Sequence, residues 1–183
     1  MEATLEQNKQ ASIAETFNLN KIILLVAAAL VLRAFFVYEE PLVPLKVGDH
    51  VPDFHLSLFN GKQLNQKDIM GAPHVFFFYA NWCPCANFSI QFFNKAHVEY
   101  SGKGIKFVAV GFQDKKDALE SFIQRHQVPF TAGPDEKSDV SKLFGIATPP
   151  TTVFVNSDGS VASIFSGKIK KYSELTEYLE KLL

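Results

Sequence analysis

The stretch His74 to Ala80, HVFFFYA, is apolar almost without a break, and Trp82-Cys83-Pro84-Cys85 follows it after one asparagine. A half-buried strand would alternate. A run this dense predicts a strand buried on both faces, at the centre of a sheet covered on each side. The chain must then leave that strand directly into the two cysteines. Phe88, Phe92, Phe93, Ala96 and Tyr100 recur at helical spacing, so a helix is expected from Trp82 to about Tyr100, ended by Gly102 and Gly104.

The flanking segments fill in the architecture. Phe54 to Leu58 alternates, Asn60-Gly61 makes a turn, and Lys62 to Leu64 returns, which reads as a hairpin. Ile105 to Gly111 is a second buried strand, and Asp114 to Gln127 an amphipathic helix. Pro129 to Thr131 is a short extended piece and Ser138 to Phe144 a short helix closed by Gly145. Thr151 to Asn156 and Val161 to Phe165 are strands joined by a tight turn, hence antiparallel. Ser173 to Leu183 is a terminal helix with Ser173 as its candidate N-cap. Strands alternating with helices predict an α/β fold with a mixed central sheet and helices on both faces.

Composition narrows the function. The chain has 183 residues, enough for one domain with a short appendage. Lys plus Arg is 18 against 19 Asp plus Glu, which argues against a nucleic-acid binder. Apolar residues make up 47%, so a sizeable core forms and wholesale disorder is excluded. Two cysteines are too few for a disulfide-stapled scaffold, and their closeness points to chemistry rather than packing.

The N-terminal part reads differently. Residues 1–21 are polar, and Ile22 to Tyr38 (IILLVAAALVLRAFFVY) is apolar apart from Arg33. As a helix it would span about 25 Å, against a hydrocarbon core of about 30 Å. The leading reading of 22–38 is a single-pass membrane anchor, with Lys21 and Glu39-Glu40 at the interfaces and Arg33 snorkelling outward. A cleaved signal sequence and a buried or interfacial helix are the other readings. Against a signal sequence stand the long polar lead and the Leu32 and Arg33 found where small residues belong. Lys9 and Lys21 before the run and Lys46 after it barely favour a cytoplasmic N-terminus. Residues 39–45, with Pro41 to Pro44 (PLVP), form an extended linker to a near-neutral domain over 46–183.

Cys83-Pro84-Cys85 is expected where a buried strand gives way to a helix. The free N–H groups and dipole of a helix N-terminus stabilise a thiolate. Pro84 suits the first helical position, where no N–H is needed. Trp82 can shield one flank of the sulfur, and a second thiol two residues on can resolve a mixed disulfide.

The stretch from Val47, VGDHVPDFHLSLFNGKQLNQKDIMGAPHVFFFYANWCPCANF, resembles the opening of a thioredoxin-like fold domain of the TlpA/ResA-like (AhpC/TSA–redoxin) group. The matching pieces are Gly48, Pro52, Asp53 and Phe54, then Asn60-Gly61-Lys62, the buried strand, and Trp82-Cys83-Pro84. Downstream, GIATPPTTVFVNSDG resembles that group's cis-proline segment, with Pro150 as the cis-proline. The resemblance spans about residues 46–183. It implies a thiol–disulfide oxidoreductase without a cofactor, with Cys83 as nucleophile and Cys85 as resolving thiol. Trp82, Pro84, Thr148, Pro149, Pro150 and Thr151 would meet the substrate, a cysteine pair on another protein. It further implies a bacterial inner-membrane protein with a periplasmic domain, and a redox partner such as a membrane thiol-electron transporter.

Three departures from the group's pattern bear on this. The usual Cys-x-x-Cys is one residue short. A disulfide across one intervening residue closes a small, strained ring, which predicts a relatively oxidising couple. The buried Asp that thioredoxin carries about six residues before its first cysteine is replaced by Phe77, which leaves the general base unidentified. Pro149 also removes an N–H donor beside the cis-proline, leaving Thr148 or Thr151 to supply one.

Rival readings remain. A Sco-like copper(I) carrier would use both thiolates and a distant histidine, with His50, His55, His74, His97 and His126 as candidates. His97, about 18 Å along the helix from Cys85, is too far to co-ligate. His126 reads as a surface residue or a partner of the helix C-terminus. A thiol peroxidase needs P-x-x-x-[TS]-x-x-C, and Phe76 and Ala80 stand at the required positions. Two inert thiols in an anchored binding domain is the plainest alternative. Phe76, Phe77, Phe78, Phe88, Phe92 and Phe93 read as core, with Phe88 able to serve a docking surface instead. Lys168, Lys170 and Lys171 read as a solvated loop.

Overall fold

The computed structural model describes residues 18–33 and 42–183, which fall into two units divided between Pro41 and Leu42. In the first, residues 18–33 are helical and exposed throughout. Residues 34–38 of the expected anchor lie outside the described residues. Among the described residues no helix is long and apolar enough to cross a membrane.

The second unit holds a five-stranded sheet and a separate hairpin. The hairpin pairs β1 (His55–Ser57) with β2 (Gln63–Asn65), antiparallel, with Leu56 opposite Leu64. Gly61, at a φ of 80°, makes its turn, and the Lys62 carbonyl accepts from the Leu58 N–H. The sheet comprises β3 (His74–Tyr79), β4 (Lys106–Phe112), β5 (Thr131–Asp135), β6 (Thr151–Val155) and β7 (Val161–Ser166). Its order is β5-β4-β3-β6-β7, with β3, β4 and β5 parallel and β6 and β7 antiparallel to their neighbours. The expected mixed sheet is thus observed. The helices are α1 (Pro84–Tyr100), α2 (Lys116–Arg125), α3 (Asp139–Leu143) and α4 (Tyr172–Leu179).

Every residue of β3 is buried, and its side chains divide between two apolar layers. Phe77 and Tyr79 point to the layer built with α1, α2 and α4, where Phe77 and Phe93 rings lie 4.2 Å apart and Tyr79 and Phe122 rings 4.3 Å apart. Phe76 and Phe78 point to the other layer, where Phe76 and Phe144 rings lie 5.1 Å apart and Phe54 meets Phe76 edge-on at 5.8 Å. Each of these rings contributes about 1.5–3 kcal/mol by leaving water.

The structure corrects two details. The extended piece expected at Pro129 to Thr131 lies further on, as β5. Gly133 and Pro134 inside it disguise a strand, and both have a use. A Cβ on Gly133 would lie 2.4 Å from the Ser57 carbonyl oxygen, so glycine admits the hairpin, and Pro134 is tolerated because β5 is an edge. The last helix starts from Lys171 rather than Ser173. No side chain caps the first turn; Glu174 reaches back to accept the N–H of Lys170, just before the helix, at 2.8 Å.

Three histidines are held below their ordinary pKa. His74 is buried at the start of β3, with Nδ1 2.8 Å from the Ala72 carbonyl oxygen; burial lowers it, and Lys106 adds to this. Burial and then Lys106 lower His97, which lies edge-on to Phe107 at 5.6 Å. Burial and then Arg125 lower His126. A histidine with a depressed folded pKa favours the folded state above its unfolded value of about 6.5, and the benefit is lost as pH falls through the folded value. The thermal midpoint of the chain is therefore expected to fall on acidification from about pH 7 to 5, and His74→Phe to flatten that fall. A midpoint that holds steady across this range would contradict the account.

Candidate active site at the start of the first domain helix

β3 ends at Tyr79, and the chain turns so that the Cys83 N–H donates to the Ala80 carbonyl at 3.1 Å. Cys83 is the N-cap of α1, extended at φ −85° and ψ 112°, with Pro84 in the first helical position. Cys85 comes next, so both thiols occupy the first turn of one helix rather than standing a turn apart. Both are free thiols. Cys83 is only 7% exposed, and Cys85 is partly buried against the layer that holds Phe77.

The Pro149–Pro150 peptide is cis, as the resemblance implied. Cys83 Sγ lies 3.7 Å from the Pro149 carbonyl oxygen, which brings cysteine turn and proline loop into contact. Thr148 is exposed and Thr151 buried, and Thr151 Oγ1 donates to the Thr148 carbonyl at 2.8 Å. Trp82 is 59% exposed, Phe88 40% exposed, and Pro84 exposed. These side chains form the accessible rim, so Phe88 leaves the core. The Lys168 ammonium, rather than being fully solvated, lies 3.6 Å from the Phe88 ring centroid. Below the loop, a cavity of about 150 Å³ is lined by Pro44, Leu45, Gly145, Thr148 and Thr151 among others. A Cβ on Gly145, whose φ is 65°, would sit 2.3 Å from Pro44 Cα, so glycine lets residues 43–45 lie against the loop's stem.

A polar cluster that the sequence did not reveal braces the turn. Asn87 Nδ2 donates to the Asn81 carbonyl at 2.9 Å and to the Cys83 carbonyl at 2.8 Å, clamping the backbone on either side of Trp82. Asn87 Oδ1 accepts from Arg125 Nη2 at 3.1 Å and from His126 Nε2 at 2.9 Å. Arg125 also donates to Asn81 Oδ1 at 2.8 Å. His126 thus serves as a donor to Asn87. The one available signal was an asparagine just inside a helix, where such side chains commonly bond nearby backbone.

Phe77, at the place of the thioredoxin carboxyl, pairs across the sheet with Thr152. The Thr152 hydroxyl is buried and makes no hydrogen bond within the protein. The histidines weighed as third copper ligands are not gathered at the thiols. Among the described residues there is no group of three or more His, Cys, Asp or Glu side chains placed to hold a metal ion. Phe76 and Ala80 are buried, leaving no hydroxyl where a peroxidase carries one.

Residues 47–164 match the family described as AhpC/TSA. Thiol-disulfide oxidoreductase ResA of Bacillus thuringiensis subsp. konkukian (strain 97-27) is 26% identical over 150 residues, 82% of this chain and 84% of the relative. Among solved structures, a candidate thiol:disulfide interchange protein DsbE from Chlorobium tepidum superposes with a TM-score of 0.71 at 27% identity, covering 76% of this chain and 99% of that one. DsbF of MTB superposes with a TM-score of 0.66 at 25% identity, covering 71% and 95%.

Removing the Asn87 amide takes the side-chain donor from the Asn81 carbonyl and the acceptor from Arg125 Nη2 and His126 Nε2, while the Cys83 carbonyl keeps the main-chain N–H of residue 87. Asn87→Ala is expected to lower stability by about 1–3 kcal/mol in urea denaturation. Gln91→Ala, on the exposed face of the same helix, should stay within about 0.5 kcal/mol of the parent. Equal effects would show that Asn87 does not brace the turn.

Proposed function

The chain belongs to the AhpC/TSA family, and we propose on that basis that it is a membrane-anchored thiol–disulfide oxidoreductase acting on cysteine pairs of partner proteins. The observation that carries this is the placement of two thiols in the first turn of a helix, with Cys83 facing the carbonyl that precedes the cis-proline. The names of the matching relatives support the same chemistry.

Cys83 is the attacking sulfur. Its thiolate, at the N-terminal end of α1, displaces one sulfur of a partner disulfide. A Cys83–partner disulfide forms, and the displaced partner sulfur leaves as a thiolate that takes a proton. Cys85 loses its proton, attacks Cys83 Sγ and expels the partner's second sulfur, which is protonated in turn. Two electrons have passed to the partner, and a Cys83–Cys85 disulfide remains. The reverse sequence oxidises a partner dithiol. No cofactor is required.

Pro149 lacks an N–H, so it offers an extended partner segment only its carbonyl, while the exposed Thr148 is better placed than the buried Thr151 to supply the donor. Trp82, Phe88 and Pro84 supply apolar contact. Residues 22–38 anchor the chain in a bacterial inner membrane, with the domain in the periplasm and a membrane thiol-electron transporter as its redox partner. The apolar run Ile22–Tyr38 and the redox chemistry support this placement.

Cys83→Ser is expected to abolish exchange, and Cys85→Ser to accumulate a mixed disulfide that dithiothreitol releases. Trapping by Cys83→Ser instead would assign the attack to Cys85. Titration in glutathione buffers is expected to place the couple above the thioredoxin potential of about −270 mV. A lower midpoint would refute the strained-ring argument.

A further inference from the structure

Ser89 lies one turn beyond Cys85 on α1 and is fully buried at 0% exposure. Its hydroxyl donates to the Cys85 carbonyl at 2.8 Å, the ordinary use of a serine inside a helix. It also accepts the Ile169 N–H at 3.1 Å and lies 3.4 Å from the Ile169 carbonyl oxygen. Ile169 belongs to the loop between β7 and α4. At the start of that loop the Gly167 N–H donates to the carbonyl of Pro150 at 2.8 Å. A hydrogen-bonded path therefore runs from Cys85 through Ser89, Ile169 and Gly167 to the cis-proline. Lys168, between them, rests on Phe88 of the same helix.

This path matters most once exchange has begun. The contact between Cys83 Sγ and the Pro149 carbonyl depends on the thiol, and a Cys83–partner disulfide leaves no S–H to donate. The loop bridge has no sulfur in it and persists. We propose that Ser89 is a positioning residue for protein disulfides: through the 167–169 loop it keeps the cis-proline loop in register with the cysteine turn while a partner is covalently attached. The inference rests on the thiol–disulfide reading above. A small disulfide uses the same two thiols but need not lie along the cis-proline loop, whereas a protein segment must lie against both walls, so losing the bridge acts on one substrate class and spares the other.

The test compares two oxidants of the reduced full-length chain in mild detergent, insulin as a protein disulfide and oxidised glutathione as a small one. Ser89→Ala is expected to slow exchange with insulin about tenfold or more while glutathione exchange stays within about twofold, since small misalignments cost a docked substrate heavily. Equal slowing with both, or no slowing with either, overturns the proposal. Gly167→Ala provides a second route should Ser89→Ala not fold. Its Cβ would meet nothing within 4 Å, but a φ of 114° is strained for any L side chain, so the Pro150 contact should shift. The same split is expected, and equal rates with both oxidants again count against the bridge. A parent chain that reacts with neither oxidant sinks the thiol–disulfide reading itself, and the role of Ser89 with it.

Discussion

Burial of β3 on both faces is the constraint from which the rest of the domain follows. A strand with Phe76 and Phe78 on one side and Phe77 and Tyr79 on the other needs two apolar layers, and these layers fix where every helix lies. Neighbouring strands on both sides hold its register, with Phe77 opposite Ala109 and Thr152. The end of such a strand cannot drift. The turn after Tyr79 therefore delivers Cys83 to one place, and β6, paired with the same strand, delivers the cis-proline loop to face it. The reactive geometry is a product of core packing, with Asn87 adding local bracing.

The missing residue between the cysteines changes how that geometry is used. Cys83 as N-cap and Cys85 two places on share the same helix end. The first thiol is the better shielded, against the Pro149 carbonyl, and the second is partly open. Shielding by the loop that would receive a partner fits an attacking group whose target arrives at that loop. The backbone of the second thiol is held by Ser89, which ties that thiol and the loop to one side chain.

Much of this was legible in the residues. The density of HVFFFYA revealed the central strand, and Cys83-Pro84 revealed the helix start, because proline at that position has few other uses. What stayed hidden depends on partners distant in the chain. The strand Thr131–Asp135 escaped the sequence because Gly133 and Pro134, which suit the hairpin contact and the sheet edge, are residue types seldom found inside strands. Ser173 misled for a local reason: it has a cap's side chain but lies inside the helix, two places after Lys171, where the chain enters it. Asn87 and Ser89 are ordinary polar residues until Arg125, His126 and Ile169 are brought to them from tens of residues away.

Phe77 has a consequence for where protons travel. Its ring lies 4.2 Å from Phe93, so a hydrocarbon side chain fills the place of the thioredoxin carboxyl. Asp135, the buried carboxyl among the described residues, is committed to the Val140 and Ser141 N–H groups and the Ser141 hydroxyl. No carboxyl therefore stands on this strand beneath the thiols. In the proposed exchange, each proton released or taken up would pass through the open mouth of the site to bulk water. Such turnover would be coupled to the acidity of the surrounding medium, from which the fold would not insulate it.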